Sequence, residues 1–105
     1  MNHTLIQYLR NSDRSPYGVV VASIRPTDNK VGIGFSAVRP NSGDKFDRDM
    51  GIRIATGRAA VVNERARKDA TFAGLKKHNP EVYGAIYSMY NRARDYFVDK
   101  EVVLP

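Results

Sequence analysis

The sequence predicts an α+β fold in which an antiparallel β-hairpin or three-stranded sheet packs against two main α-helices. Two observations lead to it. YGVVVASIR (17–25) and VGIGFSAVR (31–39) are runs of strand-forming residues joined by PTDNK; β-branched and aromatic side chains suit a pleated surface, and Pro, Asp and Asn suit a tight turn. Beyond HNPE, Val82, Ile86, Met89, Ala93 and Tyr96 or Phe97 recur every three or four residues, the period of one buried helix face.

The elements follow in chain order. TLIQ, from Thr4 to Gln7, reads as a capping box, with Leu5, Ile6 and Leu9 on one face of a helix of about two turns. NSDRSP should end it, since Asn11, Ser12, Asp13 and Pro16 are poor helix-interior residues. In the second strand run Val31, Ile33, Phe35 and Ala37 alternate with Gly32, Gly34, Ser36 and Val38, so one face is bulky and the other nearly bare. A bare face invites close approach, by a ligand or, more commonly, by a large neighbouring side chain or at a bulge. GIGF lacks the third glycine and the βαβ setting of a dinucleotide fingerprint.

The segment from Gly43 to Lys68 is expected to form the first main helix. Asp44 occupies the N-cap position and Asp47 lies three residues on, an arrangement that satisfies free amides and the helix dipole without a metal. The acidic spacing also lacks the distal bidentate Glu of a calcium loop. Phe46, Met50, Ile54, Gly57 and Val61 make one apolar face, and Ile52, Ala55, Ala59 and Val62 a second. A helical glycine costs about 1 kcal/mol relative to alanine. Packing of another helix or of the bare strand face on Gly57 would offset that cost; access for a ligand backbone at Gly51 is the functional alternative. KDATFAGLKK holds a short helix with Phe72 and Leu75 inward. Asn79, Pro80 and Glu81 open the last helix, and EVVL supplies the third strand.

At 105 residues, with 42 % hydrophobic and 27 % charged residues, the chain fits one globular domain. It has no cysteine, so disulfides and thiolate sites are excluded. No leader-like N-terminus and no membrane-length apolar run is visible, which predicts a cytoplasmic protein with no membrane partner. The net charge of +6 is concentrated in the middle, with eight basic and three acidic residues between positions 48 and 77. Such a surface attracts nucleic acid or an acidic protein.

Arg58 and Arg65 lie seven residues apart on one helix side, with Arg48 close to that line. Guanidinium forks match phosphate and carboxylate oxygens; the alternative is that Arg58 pairs with a carboxylate of the last helix such as Asp95. The candidate nucleic-acid or anion-binding residues are Arg48, Arg58, Arg65, Lys68, Lys76 and Lys77. Tyr87 and Tyr90 are candidate stacking partners from a stripe that also contains Tyr83. The only imidazoles are His3 and His78, and there is no nucleophile elbow, P-loop or metal-spaced histidine set. The expectation is therefore non-catalytic binding of DNA or RNA, with no cofactor and no metal. Docking on an acidic protein surface through the same arginines is the alternative, and a homodimer on the small-residue helix face a third possibility.

The run GFSAVRPNSGDKFDRDMGIRIATGRA, from Gly34 to Ala59, about a quarter of the chain, resembles a strand-loop-helix signature of small phage and prophage accessory proteins. The matching residues are Asp44, Phe46, Gly51, Ile54, Ala55, Gly57, Arg58 and Ala59. The resemblance implies a phage-encoded protein working in the host cytoplasm on a nucleic-acid or defence process, as a nucleic-acid binder or as an inhibitor or adaptor of a host protein. It brings no catalytic residues.

Overall fold

A computed structural model describes residues 3–61 and 72–105. Four strands form one sheet in the order β1 (Thr4–Arg10), β2 (Pro16–Ile24), β3 (Val31–Ala37) and β4 (Val102–Val103). The first three run antiparallel and β4 joins β3 in parallel. Helices α1 (Arg48–Ala60), α2 (Phe72–His78) and α3 (Pro80–Tyr96) complete an α+β architecture. The sheet lies between α1 on one face and α3 with α2 on the other.

The helix expected at the N-terminus is instead strand β1. Leu5 and Leu9 are four apart and fit either period, but Leu5, Gln7 and Leu9 alternate with Ile6, Tyr8 and Arg10, and the strand period prevails. The reason lies in β2, where Val19, Val20, Val21 and Ala22 are all fully buried. A strand covered on both faces sits inside a sheet, so the hairpin needs a neighbour beyond β2, and Thr4 to Arg10 supply it. The ladder shifts between Leu9 and Arg10, where Tyr17 is the extra residue on β2. The Tyr17 ring joins the α3-side core and its hydroxyl donates to Glu81 Oε2 at 2.6 Å; burial and the neighbouring carboxylate push that phenol well above its ordinary pKa.

The expected hairpin is present, and Asp28 accepts from the Lys30 amide and from Nε and Nη2 of Arg25 inside its turn. The bare face of β3 is filled by helix backbone. A Cβ on Gly34 would overlap the Ala55 carbonyl oxygen and stand 2.6 Å from the Ala59 amide nitrogen, and one on Gly32 would overlap the Ala59 carbonyl. Hence α1 turns Gly51, Ala55 and Ala59 to the sheet.

This corrects three expectations for α1. Its N-cap is Asp47, whose side chain accepts from the Met50 amide at 3.1 Å, while Asp44 lies in the preceding loop and accepts from Ser42. The face through Met50, Ile54, Gly57 and Val61 points outward: Met50 is 55 % and Val61 59 % exposed, and nothing lies within 4 Å of a Cβ placed on Gly57. Both apolar faces satisfied helical periodicity, but only Ala55 and Ala59 are small enough for backbone-to-backbone approach. The Phe46 ring lies across Gly51, so that glycine accommodates an aromatic side chain and no ligand.

On the other face, Asn79 caps α3 through the Val82 amide, and Val82, Ile86, Met89, Ala93 and Phe97 form the expected buried stripe. Leu75 of α2 is buried and Phe72 half-buried against the same core. The C-terminal strand is short, and its parallel pairing is fixed by the Val31 amide donating to Glu101.

Candidate functional site

Two clusters of cations and aromatic rings stand on opposite faces of the sheet. The first lies where α2 meets α3. Tyr83 and Tyr87, one helical turn apart on α3, flank the Phe72 ring. Phe72 stacks on Tyr83 at 4.4 Å between centroids, and its plane is 13° from that of Tyr87 at 6.4 Å. Packing on Leu75 and the α3 core holds Phe72 and Tyr83, whereas Tyr87 at the end of the column is 53 % exposed. Lys76 Nζ sits 5.9 Å from the Tyr83 centroid, Lys77 is exposed beside it, and Arg94 lies over Tyr90 at 5.6 Å. Such cation–ring contacts pre-position the cation while leaving its donors to solvent.

The second cluster lies on the α1 face. Strand alternation puts Tyr8 and Arg10 on one side of β1, and the first residue of α1, Arg48, reaches the same ring. Both guanidinium carbons are 5.6 Å from the Tyr8 centroid. Tyr8 is half-buried against Val19, Val21 and Ala55. Sequence reasoning missed Tyr8 and Arg10 because it placed them on a helix; once β1 is read as a strand, the Tyr-x-Arg spacing brings them together.

The candidate residues thus divide. Lys76, Lys77, Tyr87 and Tyr90 share the α2–α3 surface, and Arg48 belongs to the second cluster. Arg58 sits at the β3 edge, where its Nη1 donates to the Phe35 carbonyl at 2.9 Å. Asp95, named above as an alternative partner for Arg58, lies on α3 across the sheet, so that alternative is corrected. Arg65 and Lys68 lie outside the described residues, and with them the proposed Arg58–Arg65 row.

Among the described residues the ion pairs are Arg25–Asp28 at 2.5 Å and Lys30–Glu101 at 3.1 Å. Among the described residues, Arg10, Arg48, Arg58, Lys76, Lys77 and Arg94 have no carboxylate at such distance. His3 is exposed, its Nδ1 3.2 Å from the Tyr96 hydroxyl, and His78 ends α2 in solvent. No group of three or more His, Cys, Asp or Glu residues placed to hold a metal occurs among the described residues, and none of their helices is long and apolar enough to cross a membrane.

The fold and these surfaces define a small α+β protein with two basic–aromatic clusters whose cations have no ion-pair partner among the described residues. Neither protein-family models, nor curated proteins, nor solved structures provide a match to the chain. Within it, the strand-loop-helix signature is accounted for in part by packing: Phe46, Gly51, Ala55 and Ala59 make the contacts that seat α1, whereas Asp44, Ile54, Gly57 and Arg58 are exposed.

Proposed function

We propose that the protein binds single-stranded nucleic acid non-catalytically, with the α2–α3 surface as the contact for bases. The observation behind this reading is the Tyr83–Phe72–Tyr87 column, which ends in a half-exposed ring beside Lys76 and Lys77. Every base has a π-face, so an exposed tyrosine in a basic surface stacks bases without needing sequence, and lysines beside it take the phosphates. A duplex hides its base faces and gains nothing from Tyr87.

The test is fluorescence anisotropy with labelled single- and double-stranded oligonucleotides. Stacking contributes about 1–3 kcal/mol per base by alanine substitution, so Tyr87→Ala should weaken single-strand binding at least severalfold, and Tyr87→Phe should restore it. Unchanged single-strand affinity in Tyr87→Ala would remove the platform from the account.

A second reading is favoured by the outer row of α1. Met50, Ile54 and Val61 are exposed apolar side chains on the same helix as Arg53 and Arg58, a mixture suited to an acidic protein surface with apolar patches. In that reading the chain is a phage-type inhibitor or adaptor of a host protein, as the signature implies. Of the small residues, Ala55 and Ala59 are covered by β3 and Gly51 by the Phe46 ring of the same chain, so a second copy would use this outer row. Capture of a protein partner from nuclease-treated extract, abolished by Ile54→Asp, would favour this reading over nucleic acid.

A further inference from the structure

We infer that Tyr8, Arg10 and Arg48 form a phosphate-binding site on the face of the sheet opposite the α2–α3 platform. β1 presents Tyr8 and Arg10 from one side of the strand, and α1, seated by its close approach to β3, delivers Arg48 to the same ring. Both guanidinium carbons lie 5.6 Å from the centroid of that one ring, and neither cation has a carboxylate within ion-pair distance among the described residues. Arg10 is anchored by one hydrogen bond, from Nη1 to the Arg14 carbonyl at 2.8 Å, which leaves its other donors free. The Arg48 guanidinium and the Tyr8 hydroxyl have no hydrogen-bond partner among the described residues.

The local acids do not neutralise the pair. Asp47 is committed to the Met50 amide as N-cap, and neither it nor Asp49 lies within ion-pair distance of Arg48. Because Asp47 occupies the α1 N-terminus, the site consists of side chains and borrows nothing from the helix dipole.

Donor number selects the anion. One guanidinium fork engages both oxygens of a carboxylate through two parallel N–H groups, and a carboxylate accepts about four hydrogen bonds in all. Two guanidinium groups and a phenol offer more donors than a carboxylate can accept, and they suit a group with three or more oxygens arranged around one atom. Phosphate has that shape and charge. Its source is either a terminal phosphate monoester or an internal phosphodiester of a bound strand.

The test begins with inorganic phosphate, so that it stands independently of nucleic-acid binding. In nitrogen-15-labelled protein the Nε–H resonances of Arg10 and Arg48 should shift together and saturably on phosphate addition. Chloride at matched ionic strength should not reproduce the shift. Tyr8→Phe keeps the ring against Val19 and Val21 but removes the hydroxyl, and should weaken phosphate roughly three- to tenfold, the worth of one hydrogen bond. Arg10 and Arg48 are exposed, so Arg10→Gln/Arg48→Gln should melt like the parent and lose the phosphate response.

Oligonucleotides bearing a 5′-phosphate or a 5′-hydroxyl then separate the sources. A 5′-phosphate preference lost in the double variant identifies the monoester. Equal binding of both, with the salt slope falling by about two in the double variant, identifies the phosphodiester. Absence of a saturable phosphate shift at Arg10 and Arg48, or a double variant that responds to phosphate like the parent, overturns the inference.

Discussion

Arg58 Nη1 donates to the carbonyl oxygen of Phe35 at 2.9 Å, from α1 to the open edge of β3. Val31 donates its amide to Glu101, so the odd-numbered residues of β3 face outward, and β4 covers only Val31 and Gly32. The Phe35 carbonyl lies beyond that cover. At the opposite edge Arg92 of α3 donates to the outward Ile6 carbonyl of β1 at 3.3 Å. Each edge strand thus has a charged side chain on an unpaired carbonyl, a recognised way of discouraging edge-to-edge pairing.

Removing both caps therefore tests solubility more than stability. Each bond is exposed, so Arg58→Gln and Arg92→Gln should each cost at most about 1 kcal/mol. The double variant should show concentration-dependent self-association by light scattering under conditions where the parent does not. Equal scattering would mean that the caps do not protect the edges.

The glycines of α1 and β3 make a paired prediction. Gly34→Ala drives a methyl group into helix backbone, which cannot rotate away, and should destabilise by roughly 1–3 kcal/mol or more. Gly57→Ala meets open space in a helix interior and should stabilise by up to about 1 kcal/mol. Urea melts of the two variants decide it, and destabilisation by Gly57→Ala would show that the outer face of α1 is covered.

The hairpin turn carries a pH dependence. The Arg25 hydrogen bonds, then the Lys30 amide, hold the Asp28 carboxyl below its ordinary pKa of 3.8. A carboxylate depressed in the folded state contributes stability above its unfolded pKa and loses it as pH falls through the folded value. Asp28→Asn should therefore lower the Tm at neutral pH, and the difference should shrink as pH falls below about 4. A Tm difference constant from pH 7 to pH 3 would exclude this linkage.

Much of this architecture is legible from residues 17 to 39 and 79 to 97, where strand runs, turn chemistry and one helical stripe each support a single reading. Thr4 to Arg10 were ambiguous because Leu5 and Leu9 satisfy both periods, and only the need of β2 for a neighbour decides between them. The same ambiguity hid Tyr8 and Arg10. In α1 two apolar faces competed, and side-chain volume settled the choice: Ala55 and Ala59 fit the backbone of Gly32 and Gly34, and Met50 and Ile54 do not. Tyr87 and Lys76 are identifiable as types, but the stacking of Tyr87 with Phe72 and the placing of Lys76 over Tyr83 depend on how α2 folds onto α3, which no local pattern encodes.

Nucleic-acid binding by the basic α2–α3 surface is tested by the affinity of the unmodified protein for a labelled single-stranded oligonucleotide between about 50 and 200 mM salt, where counterion release has a large effect. The account predicts measurable binding at the lowest salt, log affinity falling linearly with log salt, and weaker binding to the matching duplex. Absence of single-strand binding at 50 mM salt would contradict it.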